Sequence, residues 1–110
     1  MKLVIVESPY AGDVDGNLAY CRAAMADCLR RGEAPFASHA LYTQPGVLSD
    51  DISDERMLGI AAGLAWGERA DRTACYVDLG WSPGMHLGVQ AADAAGRVVE
   101  IRRLGGEWAS

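Results

Sequence analysis

Strand-forming runs alternate with segments of helical period along this chain, and that alternation limits its fold more than any other feature. Lys2 to Val6 (K-L-V-I-V) is a continuous apolar run, the pattern of a parallel strand covered on both faces. Glu7-Ser8-Pro9-Tyr10-Ala11-Gly12 ends it with turn residues. From Val14 to Arg31 the spacing predicts a helix, with Leu18, Cys21, Met25 and Cys28 or Leu29 on one face. Arg30 and Arg31 complement its C-terminal dipole, and Gly32 is placed to cap it. Ala34 to Ser38 reads as a second strand, followed by His39 to Gln44, a loop with Pro45 and Gly46, and an acidic surface segment from Ser49 to Asp54.

Ser53 is the expected cap of a second helix, with Asp54 and Glu55 in its first turn, where the dipole favours negative charge. Met57, Ile60, Ala61 and Leu64 form its predicted apolar face. Gly59, Ala61, Ala62 and Gly63 keep it thin enough to pack closely against the sheet or another subunit. Thr73 to Val77 reads as a third strand, and a third helix follows from Gly84 to Ala95, ended by Gly96. Arg97 to Arg103 reads as an edge-like fourth strand. The remainder, Gly105 to Ser110, is expected to be a loose tail with Trp108 as its one anchor.

Strands and helices in this order predict an α/β domain, a roughly four-stranded parallel sheet with helices on both faces and right-handed crossovers. In the common strand order 2-1-3-4 the chain reverses direction between strands one and three. Ligands of such sheets sit at the carboxyl ends of the strands, at that switch point. The turns Ser8–Gly12 and Gly80–Met85 flank it. The second belongs to the stretch Tyr76 to Val89 (Y-V-D-L-G-W-S-P-G-M-H-L-G-V). There Gly80 and Pro83 break the strand, Ser82 is a good N-cap, and Pro83 suits the first helical position.

At 110 residues the chain is one domain, taken as 1–104 with a tail at 105–110. The net charge of −5 and the lack of a basic stripe argue against a nucleic-acid partner. No apolar run reaches membrane-spanning length, and Met1-Lys2 leads into a strand rather than a signal peptide. Cys21, Cys28 and Cys75 read as buried reduced thiols of a cytoplasmic protein. With two histidines and no CxxC pair, no metal site is expected, and no cofactor.

Ser82, Gly84 and the N–H of Met85 are the candidates for holding a phosphate, since a helix start aims free N–H groups and a positive dipole end at the turn. A plain capped helix is the alternative. Ser8, Pro9 and Tyr10 would bound a base or sugar, with Tyr10 stacking on a ring, or form a turn with one half-buried Tyr. Asp78 would accept from a ribose hydroxyl, or face the dipole of the third helix. His39 and Tyr42 follow strand two at the same end of the sheet, and would line the rim or be structural. Arg56 would reach a phosphate or lie exposed, and His86 is expected to be exposed. Glu7, a carboxylate at the end of strand one, is placed to serve as a catalytic group. Trp66 reads most simply as core, and Trp81 as a candidate subunit contact.

The ordered series V-I-V-E-S-P-Y-A-G, Asn17, A-P-F-A-S-H-A-L-Y, D-E-R-M-L-G-I and G-W-S-P-G-M resembles the small phage and bacterial proteins grouped with nucleoside 2-deoxyribosyltransferases and nucleotide N-glycosidases. The resemblance spans nearly the whole chain. It implies a flavodoxin-like sheet, an oligomer, and a nucleoside or nucleotide held between the first turn and the S-x-G turn. It also implies that Asn17 faces the start of the pocket, although Asn17 alone would serve as a tie for the first loop. In that family a nucleophilic Glu stands four residues beyond the Gly of S-x-G. Here that position is Gly88. The departure favours binding of a nucleotide-like molecule without turnover, such as the sequestering of an ADP-ribose-like host signal by a phage-type sponge. The alternatives are an N-glycosidase or deoxyribosyltransferase using Glu7 or Asp78, and an oligomeric interaction module with a vestigial pocket.

Overall fold

The computed structural model describes residues 1–106 and Trp108. Its elements are β1 (Lys2–Glu7), α1 (Val14–Arg30), β2 (Glu33–Phe36), α2 (Ser38–Leu41), α3 (Ser53–Gly67), β3 (Arg72–Tyr76), α4 (Pro83–Ala94) and β4 (Val98–Arg102). The strands form one sheet in the order β2-β1-β3-β4, and every pairing is parallel. The expected α/β architecture and switch point between β1 and β3 are therefore present. Of the expected tail, Glu107, Ala109 and Ser110 lie outside the described residues.

Side chains alternate across a strand, so each strand feeds two layers. Val4 and Val6 of β1, with Ala74 and Tyr76 of β3, pack on Tyr20, Cys21, Ala24 and Cys28 of α1. Burying each of these valines stabilises the fold by about 1.5–3 kcal/mol. On the opposite face Cys75 and Val77 meet Met85 of α4, with Val89 and Val99 beside them. Glu7 stands level with Cys75 in the β1–β3 ladder, on this second face.

The side of β3 and β4 facing the α1 layer is closed by polar groups. Arg102, at one edge of the sheet, reaches Glu33 at the other, with Nη1 and Nη2 each donating to a Glu33 carboxylate oxygen at 2.8 Å. Nη2 also donates to Glu100 (2.8 Å) and Nη1 to the Tyr76 hydroxyl (3.1 Å), which itself donates to Asp27 (2.7 Å). Arg72 joins through Glu100 at 2.9 Å. The Arg102 guanidinium lies 5.8 Å from the Tyr76 ring centroid, and its buried Nε has no partner among the described residues.

Several expectations are corrected. The buried stripe of α1 is Asn17, Tyr20, Cys21, Ala24 and Cys28, and Leu29 is 56% exposed. Small Ala24 permits the close approach that would make a larger residue clash. Ser53 is the first residue of α3 rather than its cap; Ile52 holds the cap position without a side-chain bond. Met57 and Leu64, expected inside, are 57% and 46% exposed, because α3 turns its glycines inward. A Cβ on Gly63 would press on Ser38 Oγ at 2.7 Å, and one on Gly67 would meet Arg97 at 3.3 Å. Trp66 is exposed as well, and stacks on Phe36 with centroids 5.2 Å apart. His39 lies on the short helix α2, which periodicity over so few residues did not predict.

Arg102→Ala leaves the buried Glu33 carboxylate with only the more distant Arg72, at 3.7 Å, as its cation, and is expected to cost up to about 3–5 kcal/mol in urea denaturation. Arg102→Met with Glu33→Met is expected to recover most of that loss. Burial opposes ionisation of Glu33, but its Arg102 bonds win and hold its carboxyl below the usual range. Its contribution is therefore present above the unfolded value and lost as pH falls through the folded one. The wild type should lose stability below about pH 4, and the double variant should lose less.

Candidate functional site

The turn into α4 forms as its residues dictate. Gly80 takes a positive φ of 90°, which costs other residues strain. Ser82 is the N-cap, its Oγ accepting from the Met85 N–H at 3.3 Å, with Pro83 in the first turn. Met85 is buried beneath, anchoring the helix start to the sheet. Around Gly84 the surface is open: an added Cβ would touch only Ser82 Oγ, at 3.9 Å. Trp81 and His86 stack beside this opening, their centroids 5.0 Å apart.

The turn after β1 is fixed by two tethers. Asn17, buried in α1, donates from Nδ2 to the carbonyls of Tyr10 (2.9 Å) and Ala11 (3.1 Å). Ser8 Oγ lies 2.7 Å from His39 Nε2, which ties β1 to α2. Burial pushes the His39 imidazole down to about 4, so the ring is neutral near pH 7. His39, Tyr42 and Arg56 line a small cavity of about 80 Å³ between α2 and α3. Tyr10 borders an open groove of about 710 Å³ whose far wall is the 43–52 loop. That volume is within the range of small-molecule sites. Leu48, Asp50 and Glu55 line both spaces. Sequence reasoning assigned this stretch to the surface, and no periodicity could have signalled that the loop faces Tyr10 and Val14 across a groove.

Glu7 ends β1, just before the first turn, and adjoins α4 at Gly88. Its side chain is half-buried, and none of the hydrogen bonds among the described residues involves its carboxyl. Nor is the carboxyl sealed in, since the buried side-chain atom left unpartnered among the described residues is Arg102 Nε. Gly88 of α4 lies directly over it: a Cβ at position 88 would overlap the Glu7 carboxyl group. Burial pushes the Glu7 carboxyl up to about 8, against the opposing pull of Arg97. Arg97 is held apart by Thr73 Oγ1 (3.0 Å) and the Gly67 carbonyl (2.6 Å).

Asp78 does not join this group. Its carboxylate accepts from the Tyr20 hydroxyl and from the N–H groups of Leu104 (2.8 Å) and Gly105 (3.0 Å). The sequence offered Asp78 as a ribose acceptor or substitute catalytic group, whereas these bonds make it a clamp between β3, α1 and the segment after β4. Its hydrogen bonds outweigh burial and keep its carboxyl below the usual range. Trp108 packs edge-on against Tyr20 next to this clamp, at 4.9 Å. Among the remaining candidates, Ser8, Tyr10, His39 and Tyr42 gather on the β1–β2 side, while Ser82, Gly84 and Met85 lie on the β3 side. Pro9 is buried in the first turn. Among the described residues no three His, Cys, Asp or Glu side chains cluster as a metal site would require, and no helix is long and apolar enough to cross a membrane.

This arrangement of sheet and turns is that of the nucleoside deoxyribosyltransferase fold. The structure is similar to a 2-deoxyribosyltransferase from Bacillus psychrosaccharolyticus, with a TM-score of 0.66 at 18% identity over 96% of this chain and 74% of that one. It is also similar to the CMP N-glycosidase BcmB of Clostridium botulinum, with a TM-score of 0.54 at 14% identity over 93% of this chain and 69% of that one. By sequence the chain belongs to the family described as Domain of unknown function (DUF7768), which matches residues 2–102. No curated protein matches it.

A carboxyl raised by burial has a stability signature of its own. Glu7 carries its proton in the folded state over a range where the unfolded chain has lost it. Its stability contribution is therefore full below about pH 4.5 and declines as pH rises towards 8. Glu7→Gln, which removes that titration, is expected to gain in melting temperature over the wild type progressively between pH 5 and pH 8. Parallel thermal melts across that range check it.

Proposed function

We propose that this domain binds a nucleoside or nucleotide across the carboxyl ends of β1 and β3. The observation that carries the reading is the Glu7 carboxyl, unpaired among the described residues and unsealed, at the carboxyl end of β1 beneath Gly88 of α4. The groove beside Tyr10 would take the base, with the Tyr10 ring available for stacking. The capped start of α4, with Ser82, open Gly84 and the first-turn N–H groups, would take the phosphate or sugar end. Ser8, Pro9, Asn17, His39 and Tyr42 would shape the wall between them. Asp78 would act indirectly, by keeping the end of β3 in place.

Two proteins of similar fold are named for a deoxyribosyl transfer and for cleavage of CMP, which supports this ligand class. Position 88, taken alone, supports holding the ligand without turnover, as in sequestering an ADP-ribose-like signal by a sponge. The Glu7 carboxyl supports a second reading, cleavage of the N-glycosidic bond, developed below. The exposed Trp81, Leu58 and Leu87 support assembly into a homo-oligomer. The unpaired thiols Cys21, Cys28 and Cys75 fit the reducing cytoplasm.

Calorimetric titration with deoxyadenosine, deoxycytidine, AMP, CMP and ADP-ribose tests the reading. At least one is expected to bind, and Gly84→Val, which fills the opening at α4, is expected to weaken it at least about tenfold with the circular dichroism spectrum unchanged. No binding by any of the five, with an oligomer that Trp81→Ala breaks, would favour an interaction module instead.

A further inference from the structure

We infer that Glu7 is the reacting acid of this site, a carboxyl carried on strand β1 that protonates the departing base of a bound nucleoside or nucleotide. The inference rests on the nucleoside-binding reading above and deepens it. Gly88 carries the geometric argument. An added Cβ there would fall on both Glu7 oxygens, the farther of them at 2.8 Å, so the missing side chain on the helix is the space that the strand carboxyl occupies. The other acidic candidate, Asp78, has accepted hydrogen bonds at both oxygens and lies on the opposite sheet face.

The surroundings of Glu7 suit an acid better than a nucleophile. Cys75 of β3 stands beside it in the ladder, and Cys21 of α1 also feels its charge. His39 of α2 is neutral and held by Ser8. Arg97 before β4 is the charged group that bears on it, and its donors are turned to Thr73 and the Gly67 carbonyl. A carboxyl lifted to about 8 is protonated near neutral pH and can donate, whereas attack on a sugar carbon requires the ionised form. In the step itself the Glu7 proton passes to the base as the bond from base nitrogen to anomeric carbon breaks, and the bonding electron pair leaves with the base. Water then bonds to the anomeric carbon and returns a proton to the Glu7 carboxylate, so the sum is ligand plus water giving free base plus the sugar, or the sugar phosphate where the ligand is a nucleotide.

The test is release of free base from deoxyadenosine, deoxycytidine, AMP and CMP by the full chain, followed by chromatography, with affinities measured alongside. Base release from at least one is expected, falling as pH rises through about 8. Glu7→Gln, with its affinity measured alongside, is expected to release base from the bound ligand at least about 100-fold more slowly. Ligand that binds the wild type and returns intact overturns the inference while leaving the binding reading standing. So does release undiminished in Glu7→Gln. Wild-type release that rises with pH overturns the acid role, and requires no variant to fold. Failure of every probe to bind overturns both.

Discussion

Much of this structure depends on one buried ion pair that crosses the sheet. Arg102 on β4 and Glu33 on β2 meet through two parallel hydrogen bonds beneath the end of α1, drawing the outer strands towards each other. A planar guanidinium matched to a carboxylate is the geometry that best offsets the cost of taking both charges out of water. The Tyr76 hydroxyl and Glu100 complete the shell. Among the described residues no helix covers β4 on this face, so the polar cluster closes the layer where a further helix would otherwise lie.

The same closing region reaches the site through Asp78. By accepting from Tyr20, Leu104 and Gly105, this carboxylate fixes the end of β3 to α1 and to the chain after β4. The α4 turn begins two residues later, at Gly80. The position of the Ser82 cap therefore depends on contacts made on the far side of the sheet. On the near side, α4 lies low over β1 because Gly88 has no side chain, and the space left is filled by a carboxyl that no hydrogen bond among the described residues satisfies. Burial of an unpaired acid costs stability that a Gln there would retain, which is a common mark of a functional position.

Local chemistry accounts for what could be read in advance. Strand runs, the Ser82-Pro83 helix start and the Asn17 tie depend on residues close in sequence, and the structure reproduces each. The misassigned helix faces share one cause. Periodicity scores side-chain hydrophobicity, yet Ala24 on α1 and Gly63 and Gly67 on α3 face inward because they are small. Leu29, Met57 and Leu64 are correspondingly left outside. The meeting of the 43–52 loop and Tyr10 across one groove had no local signal at all.

The sequence by itself determined the order of strands and helices, the two turns at the switch point and the inventory of carboxylates, because hydrophobic period and cap chemistry act within a few residues. Only the tertiary structure decided which carboxylate is free. Glu7 and Asp78 are equivalent on paper, both acidic and both at strand ends. Pleating sends one beneath α4 and the other among donors of the α1 layer. Position 88 reads as the loss of a side chain until the fold brings it over Glu7, since the two are far apart in sequence and adjoin only through the parallel crossover.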